Sequence, residues 1–253
     1  MSDKIEPGVE ESFISHLVEL RDRLVKACYG LAIATALLML WPGPSAIYDF
    51  LAQPMVDSLP VGSQMIATGV ISPFMVPMKV TMLLAVLVAL PWILYQAWAF
   101  IAPGLYAHEK RLIAPLVISS SILFLTGVAF CYFIVFSRVF KFINAFSPTS
   151  IHMAPDIENY LDFIMSMCLA FGVTFEVPVV VVVLVRMGIV SVEKLKAIRP
   201  YVIVGAFVIA AIVTPPDLVS QFSLALPMWM LYELGLVIAP LFVRVTQAPD
   251  TVD

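Results

Sequence analysis

Charge is what this chain has least of. Among 253 residues, Asp, Glu, Lys and Arg make up 13%, against roughly a quarter in soluble domains, while 61% of residues are hydrophobic and the mean hydropathy is +1.00. So few polar groups cannot cover a water-soluble fold of this length, which excludes an ordinary soluble enzyme or binding domain. Histidine is as scarce. His16, His108 and His152 all fall in loops or at the expected membrane interface, so they supply no nucleophile–base pair or metal-ligand cluster inside a bilayer, and neither an intramembrane enzyme nor a cofactor is expected. The three cysteines, Cys28, Cys131 and Cys168, are odd in number, far apart and each embedded in an apolar run. With no CxxC or Cys/His spacing they form no disulfide framework or zinc site and are expected as reduced core residues. No GxxxxGK[ST] loop is present and nothing suggests nucleic acid.

What the chain has instead is long uncharged runs. Residues 80–102 contain no charge, and at about 1.5 Å per residue that run alone crosses the roughly 30 Å hydrocarbon core of a bilayer. Scanning the rest places spans at 24–41, 75–102, 112–136 and 163–185. The last stretch, 200–243, is divided by Thr214-Pro215-Pro216-Asp217, because two consecutive prolines cannot continue a helix. The spacing therefore predicts an all-α integral membrane protein with six transmembrane helices. Its fifth, 201–214, covers only about 21 Å, so either the bilayer thins there or the final pair is a re-entrant hairpin.

Six spans put both termini on one side. Lys4, Arg21, Arg23, Lys26, Lys110, Arg111, Arg186, Lys194, Lys196, Arg199 and Arg244, eleven of the fourteen basic residues, fall on that side, which the retention of Lys and Arg makes cytoplasmic. Lys79, Arg138 and Lys141 lie at span ends, where long stems snorkel. The extracytoplasmic loops, 42–72 and 147–159, are long, and 46–59 is expected to form a cap of short interfacial helices interrupted at Pro54. The organisation expected is a cytoplasmic amphipathic segment at 1–23, a single six-helix membrane domain at 24–243 and a cytoplasmic tail at 244–253. The mixed charges before the first run are unlike a short basic leader, so the first span is expected to stay attached.

A charge inside the hydrocarbon costs about 2.5 to 3.5 kcal/mol on insertion scales, so each one needs an explanation. Glu176 sits mid-span in FGVTFEVPV, two residues before Pro178, which frees a carbonyl and kinks the helix. Its functional reading is a polar spot in a water-accessible cavity; its bland reading is a carboxyl satisfied by a neighbouring helix or by the freed carbonyl. Glu233 in MLYELGL divides evenly between a functional group and a span-end residue. The stretch 13–26 is amphipathic, with Phe13, Leu17, Leu20 and Leu24 on one face and Glu19, Arg23 and Lys26 on another. Taken alone it is an anchoring helix with an ordinary Glu19–Arg23 pair. Together, Glu19 and Glu109 offer two carboxylates on the cytoplasmic face to a cationic peptide, through bidentate guanidinium pairs.

Five ordered segments then carry a resemblance: HLVELRDR at 16–23, ATGVISPF at 67–74, FIAPGLYAHEKR at 100–111, FGVTFEVPV at 171–179 and TPPDLVSQ at 214–221. The chain resembles the TatC family, the polytopic receptor of the twin-arginine protein translocase. The resemblance implies that folded cargo docks by an N-terminal signal with paired arginines on the residues matching Glu19 and Glu109, with Arg21 nearby, and that the signal's apolar region enters a cavity near Glu176. It implies single-span partners of the TatA and TatB type, self-association in a larger complex in the cytoplasmic membrane, and transport driven by the protonmotive force. It also implies short fifth and sixth helices that offer partner-docking surfaces, and structural or partner-contact roles for Pro54, Phe74, Asp217 and Gln221, with Glu233 also a candidate. Where many relatives carry an acidic residue within or just before 69–74, this chain has Gly-Val-Ile-Ser-Pro-Phe, so no role of that carboxylate carries over.

The alternative from another class is a proton-coupled secondary transporter with Glu176 as its proton carrier. Against it, spans one to three show no likeness to four to six, and the interior holds too few polar groups to coordinate a hydrophilic solute.

Overall fold

The computed structural model describes residues 7–56, 65–101, 113–146, 154–214 and 217–242. Ten α-helices account for nearly all of them: α1 Pro7–Leu40, α2 Pro44–Val56, α3 Ser72–Ile101, α4 Ile113–Phe130, α5 Phe136–Phe146, α6 Ile157–Phe175, α7 Val177–Arg186, α8 Val192–Ala197, α9 Arg199–Val213 and α10 Leu218–Phe242. Among the described residues, five continuous stretches are long and apolar enough to cross a membrane: Ile14–Leu40, Ser72–Ile101, Ile113–Phe142, Ile157–Arg186 and Leu218–Leu241; α9 is the shorter sixth. The described residues contain no β-strand, only a parallel bridge between Ile66 and Asp156.

The all-α, multi-pass architecture matches the reading of the apolar runs, with three corrections. The described part of the cap segment is one helix, α2, which runs through Pro54 to Val56 without interruption; the proline gives up only its own N–H bond to the carbonyl four residues earlier. The last helix is not short. With 25 residues α10 extends about 37 Å through Pro227 and Pro240, since without competing water a helix keeps its remaining backbone bonds across a proline. The third span runs on to Phe146 through a π-helical segment at Cys131–Val135, which the apolar pattern did not reveal. The fifth helix is short as expected, at 15 residues and about 22 Å. Of the cysteines, all free, Cys131 and Cys168 are buried but Cys28 is exposed.

Within the spans, several hydroxyls are satisfied by their own helix. Thr35, Thr81, Ser121, Thr126, Ser137 and Thr214 each donate to the carbonyl four residues earlier. The outward faces carry large apolar side chains such as Leu24, Leu37, Val88, Ile122, Val204 and Leu241, the surface that acyl chains solvate.

Packing divides the chain into two compact units. In the first, residues 1–53 and 67–121, α1 lies along α3. Ala34 meets Ala85 and Ala89 there, flanked by Leu31, Leu38 and Ile93, and small side chains let the backbones approach closely. Trp98 Nε1 donates to Ser120 Oγ at 3.0 Å, which settles both polar groups of a buried pair. Gly43, at φ +92°, turns the chain after α1, a conformation that favours glycine.

In the second unit, residues 54–66 and 122–253, α10 packs on α7, α9, α8, α6 and α5. Val181 and Val185 of α7, Leu195 of α8 and Tyr232, Leu236 and Ala239 of α10 form one buried cluster. Asp156 caps α6 by accepting from Asn159 N–H at 3.2 Å, and the adjoining bridge joins Ile66 to Pro155 and Ile157 through backbone bonds of 3.0 and 2.9 Å. Helix α7 closes with a left-handed Gly188, φ +69°, whose N–H reaches Val185 O while Ile189 N–H reaches Leu184 O.

Candidate functional site

The first candidate site begins with the charged end of α1. Good helix formers and an apolar stripe carry the helix through 13–26 without a break, so residues three and four apart share a face. Glu19 and Arg23 meet by that rule: Oε1 of Glu19 accepts from Nη2 at 2.7 Å and from Nε at 2.9 Å. Oε2 lies 3.8 Å from His16 Nδ1, beyond hydrogen-bond range, and so retains acceptor capacity. Arg21 is held by the neighbouring Asp22, with Nη2–Oδ1 at 2.8 Å and Nε–Oδ1 at 3.1 Å. The Glu19 carboxylate is therefore already oriented by Arg23, while Arg21, two residues on and so on a different face of the helix, is held by Asp22.

The partner of Glu19 in the expected patch, Glu109, lies outside the described residues. What the structure brings to the Glu19 turn is the end of α3. The ring of Phe100 stacks on His16 with centroids 4.3 Å apart and planes 17° from parallel. The chain thus enters the 102–112 segment, which contains Glu109, from beside the residue three before Glu19. Sequence reasoning placed His16 in a loop or at the interface and missed this stack; its only signal was the apolar-aromatic context of FIAP and the spacing of His16 to Glu19.

The second candidate, Glu176, occupies the turn where α6 stops and α7 begins, as the Glu-Val-Pro pattern predicts. Its N–H bonds Val173 O and its carbonyl accepts from Val180 N–H, both at 3.0 Å. The side chain is half-buried and its two carboxylate oxygens are shielded from solvent. Glycines let neighbours close in on this break. A Cβ on Gly127 would stand 2.5 Å from Phe171 O, one on Gly172 would stand 2.4 Å from the Phe124 ring, and one on Gly235 of α10 would stand 3.0 Å from Pro178 Cα. Phe130 packs on both Phe171 and Phe175 with centroids 5.8 Å away. The carboxylate is therefore set at a helix break in rigid surroundings rather than on a mobile loop.

The remaining candidates fall into place individually. Asp217 caps α10, with Oδ1 accepting from Ser220 N–H at 2.7 Å, and Gln221 Nε2 donates to Phe207 O of α9 at 3.4 Å. Beside them Phe207 and Phe222 meet edge to face at 5.1 Å, so the residues after the double proline close the α9–α10 hairpin. Glu233 pairs with Arg199 at 2.6 Å, and next to it Tyr232 Oη donates to Leu195 O at 2.8 Å. The Arg199 partner was not foreseen, because 34 residues separate the two. Phe74 is exposed at the start of α3; the side chain of Pro54 is outside the described set.

Residues 15–227 match the family described as Sec-independent protein translocase protein (TatC). The chain belongs to the TatC family. Among relatives named Sec-independent protein translocase protein TatC, that of Halothiobacillus neapolitanus is 50% identical over 244 residues, which is 96% of this chain and 66% of that one. That of Escherichia coli K12 is 47% identical over 233 residues, covering 92% of this chain and 90% of that one. Two crystal structures titled as the twin arginine translocase receptor TatC superpose with TM-scores of 0.79 and 0.78. They share 35% and 33% identity, and the matches cover 90% and 88% of this chain and 100% and 99% of the crystallised ones. The family is one of non-enzymatic transport components. It leaves the solute-transporter reading without support.

Proposed function

We propose that this chain is the receptor subunit of a twin-arginine translocase, taking up the paired-arginine signals of folded proteins at the cytoplasmic face of the inner membrane. Glu19 and Glu109 accept the two guanidinium groups and Arg21 adjoins them. The observation that carries this reading, beyond family membership, is the His16–Phe100 stack, which sets the end of α3 against the Glu19 turn. Two carboxylates brought to one side of the membrane suit a dicationic ligand, because each bidentate pair adds geometry as well as charge. The apolar part of the signal then runs inward toward Glu176, whose placement at a rigid helix break suits a fixed polar station within an apolar path.

The distribution of Lys and Arg supports both termini being cytoplasmic. Single-span partners of the TatA and TatB type fit a protein whose outer faces are apolar and whose fifth helix is too short for the bilayer, and self-association in a larger complex belongs to the same reading. Transport is driven by the protonmotive force, without nucleotide. Phe74, exposed at the outer end of α3, is assigned to partner contact, and Pro54, Asp217, Gln221 and Glu233 to holding the helices that present these surfaces.

The test is photocrosslinking of a twin-arginine signal to the full chain in membranes. Glu19→Ala and Glu109→Ala should each abolish the crosslink while the protein stays inserted. Normal crosslinking in both variants would overturn the docking assignment.

A further inference from the structure

The charged end of α1 is followed by a second feature that signal recognition does not use. Lys26, Tyr29, Gly30 and Ile33 fall at i, i+3, i+4 and i+7 and so form one stripe of the helix, and with Trp92 of α3 they line a groove of about 360 Å³. That volume lies within the roughly 300–1,000 Å³ of small-ligand clefts.

The groove is built around a missing side chain. A Cβ on Gly30 would stand 2.3 Å from Cδ1 and 2.8 Å from Nε1 of Trp92, so only glycine lets the indole lie against the α1 backbone. There Nε1 donates to Lys26 O at 2.8 Å, which fixes the ring plane and uses its one donor. Tyr95 stacks behind it with centroids 5.9 Å apart. The indole is thus a fixed wall, yet it remains 46% exposed, and Tyr29 opposite is 66% exposed.

Its depth and charge identify the occupant. Lys26 is the last charged residue before Asp49, so it marks where α1 passes from headgroup to hydrocarbon, and tryptophan and tyrosine collect at that level. Arg23 is paired with Glu19 and Arg21 with Asp22, whereas Lys26 has no ion pair among the described residues. Below it the groove continues over Gly30 and Ile33 for about 10 Å of helix, with the Tyr29 and Trp92 rings as its walls. A cation at the interface above an apolar floor between aromatic walls is complementary to one class of molecule, with a negative phosphate at one end and a hydrocarbon chain at the other.

We propose that this groove is a binding site for an anionic phospholipid, with the phosphate at the Lys26 ammonium and an acyl chain along Gly30 and Ile33 between Tyr29 and Trp92. The site is distinct from the signal patch and does not depend on it. A lipid held there is a fixed part of the α1–α3 surface.

Native mass spectrometry of the purified full chain, titrated with phosphatidylglycerol or phosphatidylcholine of the same acyl chains, tests the site. The wild type should retain phosphatidylglycerol preferentially; Lys26→Gln should reduce that preference about fivefold, the worth of one interfacial lysine, and Lys26→Arg should keep it. Gly30→Val, which displaces the indole, should lower retention of both lipids. If that variant fails to fold, the two Lys26 variants, which only alter an exposed head group, still decide the matter. Equal retention of the two lipids by the wild type, an undiminished preference in Lys26→Gln, or full displacement by glycerol phosphate lacking acyl chains would each overturn the proposal. So would a second copy of the chain occupying the groove, seen as a dimer lost on Lys26→Gln.

Discussion

Breaking the Arg199–Glu233 pair offers the sharpest check on how the second unit is held together. The pair joins the first turn of α9 to the middle of α10 at an Nη2–Oε2 distance of 2.6 Å, with side-chain exposures of 43% and 27%. Coulomb attraction at that distance is about 6 kcal/mol for an effective dielectric constant of 20. Desolvation and side-chain ordering remove most of it: exposed pairs net about 0.2–1 kcal/mol, whereas removing one member of a fully buried pair costs about 3–5 kcal/mol. Partial exposure of both partners puts the coupling here at about 1–2 kcal/mol. The measurement is a double-mutant cycle of Arg199→Met and Glu233→Gln, followed by reversible unfolding in detergent micelles. Each single variant should lose stability, and the double variant should lose little more than the worse single one, because the second substitution removes a group whose partner has already gone. A coupling below about 0.3 kcal/mol would refute the argument that this contact fastens α10 to α9 and would return Glu233 to the list of groups needing a functional explanation.

The other expectations follow from close approaches and caps. Gly127→Ala should cost about 1–3 kcal/mol, because its Cβ meets a backbone oxygen that cannot rotate away, whereas Gly205→Ala, with nothing within 4 Å, should be neutral or stabilising by up to about 1 kcal/mol; equal effects at the two positions in thermal unfolding would contradict the packing described. Asp217→Ala should remove about 1 kcal/mol and speed amide exchange in the first turn of α10, while Asp217→Asn should retain most of the cap; unchanged exchange in the alanine variant would show that the cap is idle. Helix α9 reaches only about 22 Å, so spin labels at its two ends should report a bilayer several ångströms thinner than around α3; a uniform depth profile would exclude that thinning.

Much of the helix pattern was legible because a bilayer imposes its thickness on the chain. Long uncharged runs have no alternative to a helix where water cannot satisfy the backbone, and this is why α3 and the α6–α7 span appeared close to where the runs lie. The break at Glu176 was readable for a local reason too, since Pro178 removes a donor and crowds the preceding turn. One proline elsewhere misled. Pro54 sits in a helix that continues past it, as Pro77 and Pro91 do in α3 and Pro227 in α10, because loss of one backbone bond is tolerated when the rest of the helix stays packed. The π-helical turn at Cys131–Val135 left no mark in an apolar run, where one inserted residue changes the facing of side chains but not their hydrophobicity.

The candidate site divides the same way. That Glu19 pairs with Arg23 is a matter of spacing along one helix, and any reader of the chain can see it. That the same turn receives Phe100 on His16, that Glu233 finds Arg199, and that Trp92 reaches the Lys26 carbonyl through a notch at Gly30 are encounters between residues 34 to 84 positions apart. Residue order alone determined how many apolar helices there are and where one bends, since both depend on neighbours within a few turns. Only the tertiary structure decided which carboxylates are tied to basic partners and which lysine lies above a groove. Those outcomes depend on which helix faces lie against each other, and period and composition leave that choice open.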